Sequence, residues 1–341
     1  MGRYVIRRLL IAIPTLIVIS FVIYAILALA PIDPLSQFGA DPRVPPEARE
    51  HIRHALGLDQ PWYIRYVLWM KGMFTGDFGT SFMSHAPVIE LISQRLPNTL
   101  AVVGVAYIVG VALGIPVGLI SAVRRYSLFD HFSTAGAYVF FSLPTFFTGL
   151  LLIIIFGIKL RWFPFIYNSN LQVHDLDTLV RQLKQSIMPI AVLGLFDTAV
   201  IARYVRAEML EHLPLDYVRT ARGKGLMERF VVLRHVLRNS LIPVVTLVAL
   251  GVPAVFGGAI VTEQVFRVPG IGELLVTSIG NGDIPVVSTV VFIFAVLVVL
   301  FNLMADVLYA VLDPRIRYTY VVMPCFAAPD RPAAHSCGVT E

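Results

Sequence analysis

Six apolar runs punctuate the chain, at about residues 9–30, 98–123, 132–158, 187–202, 241–262 and 284–312. A helix needs about 20 apolar residues to cross the hydrocarbon core of a bilayer, so runs of this length read as membrane spans. With 57% hydrophobic and only 14% charged residues, and a mean hydropathy of +0.76, the chain has too little polar surface to cover such apolar mass in water. The bilayer is therefore its solvent, and the fold class expected is an all-α integral membrane protein of six transmembrane helices. Arg3, Arg7 and Arg8 precede the first run, as in a signal peptide. The run that follows exceeds a normal signal core and reads as a retained span.

The charges set the expected orientation. Arg3, Arg7 and Arg8, then Arg124 and Arg125, then eight Lys or Arg residues from Arg203 to Arg238, then Arg315 and Arg317 alternate with the spans so that all fall on one side. The positive-inside rule makes that side, and with it both termini, cytoplasmic. Lys159, Arg161, Arg181 and Lys184 on the other side weigh against this, with only Asp175 and Asp177 between them. The longer tally decides. The net charge of +5 is explained by topology, and no nucleic-acid partner is expected. Three parts follow: residues 1–97, the first span and a large outer loop; residues 98–318, a five-helix core with a cytoplasmic loop at 203–240; and residues 319–341, a tail.

The longest inner segment, Arg206 to Pro243, is basic and rich in helix formers, with Gly223 and Gly225 at its centre. It reads as a short helix, a turn and a second helix. Small Ala221 and Gly225 would allow close approach to a foreign surface, and Gly225 can adopt a left-handed turn. Asp216 is placed to cap the helix that follows, while Arg219, Arg222 and Lys224 offer charge to an acidic groove.

Chemistry is sparse. Lys224 is followed by Gly225 rather than Ser or Thr, and Val218 stands where a Walker A loop begins with glycine, so this chain is not expected to hydrolyse ATP. HExxH and GxSxG are absent. Cys325, His335 and Cys337 lack zinc-ligand spacing, and His51 and His54 read as a solvated helix face, so no metal is expected. Ionisable residues inside a membrane are costly and usually functional or paired. Asp197, in the middle of the fourth span, is the candidate wall of a polar translocation path, or else a structural contact. Asp306 lies nearer the cytoplasmic end, where water is within reach, and Glu263, at the outer edge of the fifth span, reads as solvated. Gly104, Gly110, Gly114 and Gly118 recur along one side of the second span and mark close helix packing.

Several segments together resemble one family: LGLDQPWYIRYVLWMKGMFTGDFGTSF, SLPTFFTGLLLIIIF, DYVRTARGKGL with LRHVLRNSLIPVV, VFRVPGIGELLV, NGDIPVV and DVLYAVLDPRIRY. They resemble the permease subunits of ATP-binding-cassette importers, in the dipeptide, oligopeptide and nickel branch, over most of residues 1 to 318. The resemblance implies a type I importer permease fold, in the inner membrane of a prokaryote. It implies partners: a second homologous permease, two ATPase subunits that carry ATP and Mg, and an extracytoplasmic solute-binding protein. No cofactor is expected on this chain. The substrate implied is a di- or oligopeptide, with nickel, glutathione or another solute as alternatives. A self-sufficient, ion-driven transporter is the reading from a different class.

The family's EAA-type loop motif docks on the ATPase. With Gly225 as its glycine, Arg219 and Thr220 stand in the places of Glu and the first Ala, and Ala221 in that of the second. The resemblance thus implies an ATPase-docking segment containing Asp216, Tyr217, Arg219, Thr220, Ala221, Gly225 and Leu226, in which backbone fit matters more than a motif glutamate.

Overall fold

The structure, a computed structural model, describes residues 2–29, 50, 54, 59–168, 175–257 and 259–312. Cys325, His335, Cys337, His51 and the 319–341 tail lie outside the described residues, as does the side chain of Asp306. Among the described residues the fold is helical, with one isolated bridge between Thr80 and Pro87. Five helices are long and apolar enough to cross a membrane, or six if one bent pair is a single span.

Helix α1 (Gly2–Leu29) is followed by α2 (Trp62–Thr75), which packs on it through aromatic rings. Phe21 meets Trp62, and Tyr24 meets Trp69, each at 5.5 Å between ring centres. Trp69 then reaches Phe292 of α11 (Ile284–Leu312), also at 5.5 Å. The surface of the bundle is apolar: Leu10, Leu113 and Phe132 are at least half exposed, as suits side chains that face lipid rather than water.

Helix α3 (Val88–Val123) runs without interruption through the expected 97/98 boundary, ten residues ahead of the apolar run that predicts it. It packs along α6 (Leu176–His212), and its glycines explain how closely. A Cβ on Gly110 would stand 2.4 Å from the Asp197 Cβ, on Gly114 2.8 Å from the Ile201 Cβ, and on Gly118 2.5 Å from the Ala202 carbonyl oxygen. Three successive turns of α3 are thus bare so that α6 can lie against its backbone. Without a hydrophobic force between helices in lipid, such contact is what holds them together.

The third apolar run departs from expectation. Instead of one span tolerating Pro144 there are two helices, α4 (Leu128–Ser142) and α5 (Thr145–Lys159), bent by 105°. Leu143 is extended, with φ −84° and ψ 129°, and Pro144 caps the second helix. A residue before proline is pushed out of the helical region, and here nothing restores the turn.

Helix α6, at about 1.5 Å per residue, is some 55 Å long, well beyond a hydrocarbon core of about 30 Å. Its end leads to α7 (Asp216–Gly223), a turn, and α8 (Glu228–Phe256). Helix, turn, helix is the order read from the sequence, although α8 begins thirteen residues before the apolar run and ends before Thr262. That threonine lies in a separate short helix, α9 (Ile260–Phe266), followed by α10 (Ile271–Gly280). One core, formed by Val205, Met209, Val218, Ala221, Val231 and Val236, joins α6, α7 and α8. Another, at the opposite end, joins α3, α10 and α11 through Val88, Ile92, Ile271 and Val286.

Candidate functional site

The segment from 206 to 243 forms a corner of helix, turn and helix. Val218 and Ala221 on α7 are buried in the core shared with α6 and α8. The inward face of Ala221 corrects one expectation: its small size serves packing within this chain, not approach to a foreign surface. Asp216, Arg219 and Thr220 point outward and are exposed, with Tyr217 half-buried. Asp216 also differs from expectation, since the N-cap is Leu215 and no side chain caps the helix. Asp216 occupies the first turn, where its charge still suits the helix dipole, and stands 3.5 Å from Arg219.

The C-terminal end of α7 is a complete Schellman turn. Gly225 has φ +75°, its N–H donates to the Arg222 carbonyl at 2.9 Å, and the Leu226 N–H donates to Ala221 at 3.4 Å. A left-handed residue after the helix is what this closure requires, and glycine adopts it at no steric cost. Arg222 then forks onto Glu228, with Nε 3.1 Å and Nη2 2.6 Å from the carboxylate oxygens. That contact holds the Arg222 guanidinium above its ordinary pKa, and it fixes the first turn of α8 against α7. The corner is therefore a set of exposed cationic and hydroxyl side chains seated on an apolar base.

Asp197 is half-buried where α6 crosses α3. Nearby on α3, the Tyr107 hydroxyl donates to the Val248 carbonyl of α8 at 2.6 Å. No hydrogen bond or ion pair to another described residue engages the Asp197 carboxylate.

Three buried polar clusters escaped the sequence reading. Arg206 of α6 donates Nε and Nη2 to the two carboxylate oxygens of Asp130 on α4, at 2.7 and 2.9 Å. At the opposite end, Ser81 and the Phe82 N–H both donate to Asp283, tying the loop after α2 to the start of α11. The third cluster corrects the solvated Glu263. Its side chain is 1% exposed and accepts from the Thr99 hydroxyl at 2.9 Å and the Glu273 N–H at 3.0 Å. Gly270 and Gly272 are bare because the carboxylate fills the space a Cβ would take, 2.3 Å and 2.8 Å away. Glu263 thus seals the N-terminus of α10, where negative charge is favoured. Burial pushes its carboxyl above the usual range despite these donors. A carboxylate beside glycines spaced PGIG was the only available signal, and it does not say that chain segments so distant will meet. Among the described residues, no group of three His, Cys, Asp or Glu side chains converges as a metal site.

The family model described as binding-protein-dependent transport system inner membrane component matches residues 114–318, and that of its N-terminal region matches residues 1–103. The chain is 41% identical to the oligopeptide transport system permease protein AppB of Bacillus subtilis (strain 168), over 93% of this chain and 100% of that protein. It is 39% identical to the glutathione transport system permease protein GsiC of Escherichia coli (strain K12), again over 93% and 100%. A chain from the inward-facing MetNI methionine ABC transporter superposes with a TM-score of 0.51 at 20% identity, covering 67% of this chain and 98% of its own. That likeness shows the type I importer permease fold. Helical spans and sequence agree, and the chain belongs to the binding-protein-dependent transport system inner membrane component family.

Proposed function

We propose that this chain imports peptides as one permease of an ATP-driven transporter, with α7 and its turn as the seat of an ATPase subunit. The observation that carries the coupling role is the corner itself: α7 is held from below by Val218 and Ala221 while Arg219 and Thr220 remain exposed. A knob fixed on one side and free on the other can pass force from a groove on a partner into α6 and α8. Asp216, Tyr217, Arg219, Thr220, Gly225 and Leu226 form its surface, and Ala221 is its base.

In this reading the α7 end is cytoplasmic, both termini lie on that side, and the membrane is the inner membrane of a prokaryote. A second permease supplies the other half of the path, two ATPase subunits hold ATP and Mg, and a solute-binding protein delivers cargo from outside. This chain neither hydrolyses ATP nor holds a cofactor. Alternating access is a shift between two packings of the spans, driven by closure of the ATPase pair. Asp197 lines the path. Peptide cargo is supported by the oligopeptide permease at 41% identity. Glutathione, itself a small peptide, is the second reading, supported by the relative at 39%.

The test is Arg219→Glu and Thr220→Arg, both on the exposed face, in cells expressing the whole transporter. Loss of uptake and of ATPase co-purification, with normal membrane insertion, is expected. Normal uptake with all subunits retained contradicts the docking role.

A further inference from the structure

We propose that Asp130 is a positioning residue for transport, the joint through which movement of α6 swings α4 about its break with α5. The inference rests on the docking role of α7, because that is where the movement begins. From Arg206, α6 continues as unbroken helix to His212, separated from α7 by only 213–215. Displacement of α7 is therefore carried back toward Arg206 through that short turn and through the core in which Val218 and Ala221 pack with Val205 and Met209 of α6.

There the helix meets a node. Besides the two bonds from Arg206, the Asp130 carboxylate accepts from the Ser121 hydroxyl of α3, from the Tyr126 N–H at 2.9 Å and from Thr134 at 3.3 Å. Its side chain is 4% exposed. A planar guanidinium fork on a carboxylate resists rotation as well as separation, so α4 must follow α6. Arg206 also borders a recess of about 80 Å³ lined by Ser133, Thr134, Tyr138, Phe141 and Arg203, between α4 and α6. Farther along, Phe141 stacks on Phe196 at 6.0 Å between ring centres, a contact able to slide.

The far side of the break is held away from Asp130. Gly149 of α5 packs on Val265 and Phe266 of α9, where a Cβ would come within 3.2 Å and 3.3 Å of them. Thus α4 is fastened near the α7 end of α6, while α5 sits on α9 and, through Leu152, Ile153 and Phe156, beside Met188 and Val192 at the other end of α6, with extended Leu143 and Pro144 between. A hinge is a short segment of this kind between two anchored bodies.

The experiment uses the complete transporter in proteoliposomes, with its ATPase subunits, binding protein and a labelled peptide, and measures ATP hydrolysed per peptide imported. Asp130→Asn keeps the shape and removes the charge-assisted fork. The expected result is that the ATPase subunits still co-purify while ATP consumed per peptide rises about tenfold, a usual size for lost coupling. Arg206→Lys, which keeps charge without the fork, should give a smaller rise. A ratio unchanged in Asp130→Asn, whether uptake is normal or falls in step with hydrolysis, overturns the joint. Should that variant fail to insert, Ser121→Ala decides in its place, because it removes only one of the bonds: a raised ratio supports the joint and an unchanged one overturns it. Failure of the docking role would appear separately, as normal uptake in Arg219→Glu.

Discussion

Thr99 and Glu263 meet inside the end of the bundle opposite α7, the threonine hydroxyl donating to the carboxylate at 2.9 Å while its oxygen accepts the Ile271 N–H at 2.8 Å. One side chain thus joins α3, α9 and α10. Thr99→Val keeps the shape but leaves the Ile271 N–H and a carboxylate oxygen without this partner, and unmade bonds at buried groups cost about 1–3 kcal/mol each. A lower melting temperature of the purified transporter, with cargo affinity unchanged, is the expected result.

Glu263 also predicts a pH dependence. Burial raises its carboxyl above the ordinary value, so the folded chain holds that proton more firmly than the unfolded chain. Its contribution is then most favourable below the unfolded pKa of about 4.3 and is lost as pH rises through the folded value. Thermal melts of wild type and Glu263→Gln across this interval should differ in slope, with the wild type losing more as pH rises. Parallel curves would remove the titrating carboxylate from the account.

The glycine seam between α3 and α6 predicts a ranking. A methyl at Gly118 meets the Ala202 carbonyl oxygen at 2.5 Å, whereas one at Gly104 meets only Val255 at an ordinary 3.5 Å. Overpacking costs about 1–3 kcal/mol, so Gly118→Ala should lower the melting temperature and Gly104→Ala should not. Equal effects would mean that the two helices do not touch at Gly118.

The turn after α7 predicts a contrast between neighbours. A Cβ at Gly223 or Gly225 meets nothing within 4 Å, but only Gly225 has a positive φ. Gly225→Ala should cost about 1 kcal/mol of local stability, from left-handed backbone strain alone, and reduce uptake, while Gly223→Ala is neutral or slightly stabilising. Hydrogen exchange across 216–230 measures the difference.

Much of this was legible in the sequence because the membrane makes hydropathy a direct readout of helices. The apolar runs gave spans, the glycines gave a packing seam, and Gly225 gave a turn. What was not legible depended on distant partners. Pro116, Pro189 and Pro243 lie inside helices, while Pro144 breaks one, and nothing local separates these cases. Asp130 and Arg206 lie 76 positions apart, and Thr99 and Glu263 lie 164 apart. Residue type marked each as costly to bury but could not name its partner. The inward face of Ala221 was hidden for a related reason: a small residue on a short helix fits a foreign groove and a home core equally well.

The central claim is that α7 is the element through which an ATPase subunit acts on this chain. Its most direct measurement places a photo-crosslinking residue at Thr220, exposed on α7, in the complete transporter in membranes. The account predicts a crosslinked product containing this chain and the ATPase subunit. A control at Val245, on the apolar part of α8, should give none. Insertion and subunit retention at wild-type levels, with no ATPase adduct from Thr220, would contradict it.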